Sequence, residues 1–288
     1  MKRKATDYIE SNFGLSERRA CRVIGIHRST MQYEQHRQDD GEIRESLKEL
    51  AKKYRKYGCI RLHIKLKREG YKVNHKKIER IYREEKLQIY NRKKKKRAAV
   101  QRVKLASATR RNERWSMDFI HDSLSTGRRF KNFTLVDDFT KVCPVIYTDT
   151  SITGKKVVEE LDKLKETIGL PKEITVDNGP EFISNALDEW AYKNNVMLYF
   201  IEPGRPTENP FIESFNGKFR DECLSMHWFL SIPHARELIE QWRIEYNTER
   251  PHSSLKYMTP SEFVAQLNEK TIAGSLQNTN LQLAHITG

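Results

Sequence analysis

From Trp115 onward the sequence changes its period, and that change limits the fold more than any other feature of the 288-residue chain. Residues 114–122 alternate: Trp115, Met117 and Phe119 fall on one face, Ser116, Asp118 and Ile120 on the other. Further strands are expected over 130–136, 142–148, 173–176 and 196–201. Between them, 153–168 places Val157, Val158, Leu161, Leu164 and Ile168 at helical spacing. Asn178-Gly179-Pro180 makes a turn, and 181–193 reads as the next helix. Two helices, 208–226 and 232–247, follow Pro203-Gly204-Arg205-Pro206, and Thr259-Pro260-Ser261-Glu262 is a capping box. Three meandering strands followed by β-α units predict an α/β fold, a mixed five-stranded sheet with flanking helices.

The part before Trp115 is all-α and basic. Ser16 can cap a short helix with Ala20, Val23 and Ile24 on its apolar side; Gly25 breaks it, and Ser29, Met31 and Tyr33 belong to a second short element. A better unit runs from Glu42 to Leu87. Ile43, Leu47, Leu50 and Tyr54 mark one helix, Ile60, Ile64 and Leu66 a second that Gly70 ends. Asn74 caps a third helix, which carries Ile78, Ile81 and Tyr82. That third helix is surrounded by Lys72, Lys76, Lys77, Arg80 and Arg83, as suits a helix-turn-helix that meets DNA. The run Arg92-Lys93-Lys94-Lys95-Lys96-Arg97 cannot pack and reads as an extended linker that tracks phosphates or is merely solvated. The charge is correspondingly uneven. Residues 51–111 hold 24 Lys and Arg against 4 Asp and Glu, whereas the chain from 112 onward is net negative, and the whole is +14. A polyanionic partner for the middle segment is the leading inference; a solubilising surface is the bland one.

These boundaries divide the chain into an N-terminal helical arm (1–40), a helix-turn-helix DNA-binding domain (41–90), a basic linker (91–112), an α/β core (113–228) and a C-terminal helical extension with a polar tail (229–288). The four cysteines are widely spaced, so no zinc ribbon or disulfide framework is indicated. The longest clean apolar run, Val196 to Ile201, is far too short to span a membrane, and the N-terminus lacks a signal-peptide core.

Three acidic residues stand out by placement. Asp118 lies mid-strand, Asp177 at a strand end, and Glu213 on a helix, with 35 residues between the last two. Each alone reads as a turn, cap or surface residue. On a helix turning about 100° per residue, Phe211, Ile212, Phe215 and Phe219 form one apolar stripe, while Gly217 and Arg220 fall beside Glu213. Carboxylates converging from two strands and a helix suit Mg²⁺, whose open positions accept phosphate and water. Two such ions can hold the attacking and leaving oxygens of a phosphoryl displacement. Arg220 is too basic to act as a base and would contact a nearby phosphate.

Several segments carry a family resemblance. Trp115-Ser116-Met117-Asp118-Phe119, Asp177-Asn178-Gly179-Pro180-Glu181-Phe182 and Glu213 through Cys223 resemble DDE transposases, in particular the second-reading-frame (OrfB) protein of insertion-sequence-three family elements, relatives of retroviral integrases. Tyr57-Gly58, Ile60-Arg61, Glu69-Gly70 and Val73-Asn74 match the family too, as do Tyr246-Asn247, Arg250-Pro251-His252, Leu255 and Pro260. Glu208-Asn209-Pro210 departs from the usual Gln-Asn-Ala and would start its helix one residue later. The resemblance spans roughly residues 14–265.

The resemblance implies an RNase H-like core with Asp118, Asp177 and Glu213 as a metal-binding catalytic triad. Asp118 would bridge two Mg²⁺ ions, for which Mn²⁺ can substitute, and Asp177 and Glu213 would hold one each. It implies DNA strand cleavage and strand transfer at element termini into target DNA, by a homo-multimer on paired ends with a first-frame (OrfA) partner or fusion. A bacterial cytoplasmic, nucleoid-associated protein without membrane contact is expected. The rival expectation is a catalytically inactive, transposase-derived repressor, against which the presence of all three acidic residues weighs. A junction resolvase or ribonuclease H on the same fold is the third.

Overall fold

A computed structural model of the chain describes residues 1–33, 40–89, 107–202 and 209–270. These residues group into two units, Met1–Lys48 and the chain from Glu49 on. The basic run Lys93, Lys94, Lys95 and Lys96, the Pro203–Pro206 segment and the polar tail from 271 lie outside the described residues.

The first unit holds α1 (Lys2–Phe13), α2 (Glu17–Ile24) and α3 (Arg28–Gln32), and α4 (Gly41–Lys53) begins in it. Helix α1 is an element the apolar pattern does not announce, because its outward positions are polar and only Thr6 is buried. It ends at Gly14, which takes a left-handed φ of 59°. Ser16 stands at the N-cap of α2 without a side-chain capping bond. Arg3 joins α1 to the end of α3, donating to the carbonyls of Thr30 and Tyr33 at 2.8 Å each.

In the second unit, α5 (Cys59–Arg68) and α6 (His75–Glu84) bury Leu62, Leu66, Ile78, Ile81 and Tyr82 between them. Asn74 caps α6, accepting from the Lys76 amide at 3.0 Å. Helix α4 ends at Lys53, one residue before Tyr54, which its apolar pattern includes, and Tyr54 and Tyr57 stack at 4.7 Å in the turn that follows.

The sheet has the order β3-β2-β1-β4-β5. Strands β1 (Arg114–Ser123), β2 (Arg129–Asp137) and β3 (Val145–Asp149) are antiparallel neighbours, while β4 (Glu173–Val176) and β5 (Met197–Phe200) run parallel to β1. This is the mixed five-stranded sheet that the strand order predicts. Strand β3 starts three residues later than expected. Lys141 takes a left-handed φ of 62°, the Val142 carbonyl closes a turn on the Asp137 amide at 2.9 Å, and Pro144 has no N–H to give a ladder.

Central strand β1 is buried on both faces. One face meets α7 (Gly154–Ile168) and α8 (Asn185–Lys193) in a cluster that includes Trp115, Met117, Val157, Leu161 and Trp190. The other meets α9 (Pro210–Glu222) and α10 (Ile232–Thr248) in a cluster of Ile120, Phe130, Phe215, Phe219, Trp242 and Tyr246. Helix α8 starts at Asn185, capped by Ser184, rather than at Glu181. The Phe182 and Ile183 amides instead bond the Gly179 carbonyl at 3.0 Å, a turn that drops Phe182 into the core. Residues 260–270 are helical, and the capping box forms as read: Thr259 Oγ1 accepts from the Glu262 amide (3.1 Å) and Glu262 Oε2 from the Thr259 amide (2.7 Å). No described helix is long and apolar enough to cross a membrane.

Candidate active site

The pairing of β1 with β4 leads two of the acidic residues toward the same end of the sheet. Ser116 on β1 pairs with Thr175 on the parallel strand β4. Two residues further along each chain lie Asp118, still in β1, and Asp177, just beyond β4, close enough for the Asp177 charge to act on the Asp118 carboxyl. Asp177 sits just past the last residue of β4, where the chain leaves the sheet, and its Oδ1 accepts from the Gly179 amide at 3.0 Å. That Asx turn lets the strand end on a carboxylate.

Helix α9 supplies the third group. Asn209 and Pro210 start it, with Pro at the first helical position. Ile212, Phe215 and Phe219 are buried, as the apolar stripe requires, whereas Phe211 is half-buried beneath the Lys141 ammonium, 3.6 Å from its ring centre. Glu213, Gly217 and Arg220 are exposed on the other side.

One turn after Glu213, Asn216 is buried and donates from Nδ2 to Asp118 Oδ2 at 2.6 Å. The Phe119 amide donates to Asp118 Oδ1 at 2.7 Å. The Thr134 hydroxyl, directly across from Asp118 on β2, lies 3.0 Å from the Asp118 carbonyl and 3.1 Å from Asn216 Oδ1. Asn216 and Thr134 are the residues that sequence reasoning missed. The signal was the spacing of Asn216, three after Glu213, which puts both on adjacent helical rows.

Burial raises the Asp118 carboxyl to about 6. The charges of Asp177 and Glu213 push it the same way, while the bonds from Phe119 and Asn216 oppose the rise. The three carboxylates therefore share one electrostatic environment. Among the described residues no three Asp, Glu, His or Cys side chains form a cage ready to hold an ion. The donor set is nonetheless all hard carboxylate oxygen, with Asp118 and Asp177 half-buried and Glu213 open to solvent, as Mg²⁺ with retained water ligands requires.

The residues expected to meet DNA are on the surface. Lys72, Lys76, Arg80 and Arg83 are exposed, and Lys77 is half-buried. Arg80 pairs with Glu84 at 2.9 Å and Arg83 with Glu79 at 2.5 Å, each along α6. These ion pairs would open or be shared if the arginines engaged phosphate.

Comparison with known proteins agrees with this architecture. Integrase core domain models match residues 108–206 and 194–260, and an HTH-like domain model matches 37–95. The chain is 48% identical over 259 residues to a protein of insertion element IS407 from Burkholderia multivorans, covering 90% of this chain and 94% of that one. It is 44% identical over 265 residues to a protein of insertion element IS476 from Xanthomonas euvesicatoria, covering 92% and 77%. A putative transposase, InsK of insertion sequence element IS150 from Escherichia coli, is 24% identical over 221 residues, covering 72% and 77%. Among solved structures, the HTLV-2 integrase catalytic core domain in complex with magnesium aligns at 18% identity with a TM-score of 0.44, covering 53% of this chain and 95% of that one. An integrase core behind a helix-turn-helix, in a chain this close to insertion-element proteins over nearly its full length, belongs to the insertion-sequence-three family of DDE transposases, as its second-reading-frame protein.

Proposed function

We propose that Asp118, Asp177 and Glu213 are the catalytic carboxylates of this transposase and hold two Mg²⁺ ions, replaceable by Mn²⁺. The observation that carries the reading is the Asn216–Asp118 bond, which seats the helix bearing Glu213, one turn before Asn216, against the strand bearing Asp118, beside the strand that leads to Asp177. A divalent cation bound there supplies positive charge to the phosphodiester under attack and makes its attacking oxygen more nucleophilic. The protein's part is placement. Asn216 and the Phe119 amide fix both oxygens of Asp118, and the turn at Gly179 fixes Asp177.

The reaction is a pair of phosphoryl transfers. Water attacks a phosphodiester at the element end, leaving a 3′-OH on one side and a 5′-phosphate on the other. That 3′-OH then attacks a target phosphodiester, forming one new bond and releasing the target's own 3′-OH. No covalent protein intermediate is needed.

The helix-turn-helix (41–90) and the linker (91–112) hold the element termini through Lys72, Lys76, Lys77, Arg80, Arg83, Lys93, Lys94, Lys95 and Lys96, with Arg220 on a phosphate near the carboxylates. The active form is a homo-multimer on paired ends, with an OrfA protein adding terminus recognition, acting on DNA in the bacterial nucleoid. Incubation with Mg²⁺ and a labelled element terminus, with OrfA supplied, is expected to give strand-transfer product. Asp177→Asn is expected to abolish product while leaving duplex binding intact. Wild-type turnover by Asp177→Asn overturns the assignment.

A further inference from the structure

Two of the sequence motifs have no part in the carboxylate site: Tyr57-Gly58 with Arg61, and Tyr246-Asn247 with Arg250-Pro251-His252. The fold brings them together. The guanidinium carbons of Arg61 and Arg250 lie 5.6 and 5.9 Å from the centre of the Tyr57 ring. Arg250 is 1% exposed and forked onto Glu222, through Nε at 2.7 Å and Nη2 at 2.6 Å. Its Nη1 and the Nε2 of His252 are buried with no partner among the described residues. Both Glu222 oxygens are thus committed to Arg250. Arg61 and Lys218 are half-buried beside this pair, and neither forms an ion pair among the described residues.

This group borders a cleft of about 1410 Å³ between α5 and the outer face of α9, lined by Arg61, Lys218, Arg250, Ser214, Gly217 and Asp221 among others. Ser214 follows Glu213 directly and Gly217 lies one turn on, so the cleft runs along the helix that carries the carboxylate. A Cβ built on Gly217 would meet nothing within 4 Å. The protein's own packing therefore does not call for glycine at this exposed helical position, where it costs about 1 kcal/mol relative to alanine. A close-passing ligand would call for it. Burial, then the neighbouring Arg250 and Arg61, lower the Lys218 ammonium to about 8, against the opposing pull of Glu222. The Arg61 guanidinium is lowered by burial and by Arg250. Partly buried cations that repel one another are relieved by an anion between them.

We propose that this cleft is a second DNA contact, in which Arg61 and Lys218 hold a backbone phosphate of the strand leading to the carboxylates and Gly217 gives that strand room. The inference rests on the reading of the chain as a transposase. It gives the helix-turn-helix a role in guiding the reacting strand as well as in gripping the element end.

The test uses the full chain in EDTA, so that binding is read without chemistry. Binding of a fluorescein-labelled, random-sequence duplex is measured as a function of salt. The double variant Lys218→Gln with Arg61→Gln is expected to flatten the slope of log K against log salt by about 0.9, the release from one phosphate, and Lys218→Gln or Arg61→Gln alone by part of that. Lys218→Arg should restore it, and thermal melts verify folding. Acetylation with mass spectrometry is the second readout: duplex should protect Lys218 and leave Lys163, on the far helix α7, reactive. Unchanged slopes, or Lys218 acetylated equally with duplex bound, overturn the inference while leaving the carboxylate assignment standing. Equal protection by ATP alone would reassign the cleft to a free nucleotide and also overturn it. A wild-type chain that binds no duplex removes the transposase reading and this inference together.

Discussion

Asn216 Nδ2 donates to Asp118 Oδ2 at 2.6 Å, and that bond ties α9 to the central strand of the sheet. On the proposed assignment of Asp118, Asn216 holds a carboxylate rather than a reacting atom and so acts as a positioning residue. Asn216→Ala is expected to slow strand transfer by about 10- to 100-fold and to raise the Mg²⁺ concentration for half-maximal rate. A purely structural role would lower the melting temperature without moving the metal dependence, so titrating Mg²⁺ against rate separates the two.

The Arg250–Glu222 fork is buried, and losing one partner strands the other. Arg250→Ala should cost about 3–5 kcal/mol in urea unfolding. Replacing both with methionine should cost much less, since the pair's own attraction is largely offset by desolvation. Equal losses in the single and double variants would contradict this.

Glu249 joins the helix-turn-helix to the core. Lys65 Nζ donates to its Oε2 at 2.8 Å and Tyr54 Oη at 2.9 Å. The Lys65 bond, then the Tyr54 bond, hold the Glu249 carboxyl below its ordinary value. A depressed carboxyl stabilises the fold above the unfolded pKa, and that stabilisation disappears as pH falls through the folded one. Urea melts from about pH 7 to about pH 3 should therefore converge for wild type and Glu249→Gln in acid and diverge toward neutrality.

Two helical glycines should answer alanine in opposite ways. A Cβ at Gly154 would come 2.8 Å from Ser184 Cβ and 3.1 Å from the Glu181 carbonyl oxygen, so Gly154→Ala should destabilise by about 1–3 kcal/mol. Gly217 faces open space, and Gly217→Ala should stabilise the free protein by up to about 1 kcal/mol. Thermal unfolding of the two variants measures both. If alanine at Gly217 destabilised the free protein, the open face inferred for α9 would be wrong.

Much of the fold was legible because its signals are local. Alternation at Trp115–Ile120 marked the central strand, Asn74 and Thr259 marked helix starts, and the Phe stripe marked the buried face of α9. The errors fell where local signals compete. Residues 181–184 have helical pattern, yet Phe182 is drawn into the core and the helix waits for Ser184. The three acidic positions stand out by placement in the sequence, but the asparagine that bonds one of them looked like any polar helix residue until α9 was laid across β1.

The order of strands and helices, the three acidic positions and the concentration of positive charge ahead of the core follow from the chain itself, since periodicity, caps and charge are written in neighbouring residues. Which side chains meet across 98 positions, as Asp118 and Asn216 do, or across 195, as Tyr54 and Glu249 do, was decided by the packed sheet and helices alone. Register between strands and the crossing of helices are set by how two distant apolar surfaces fit, and neither surface carries that fit by itself.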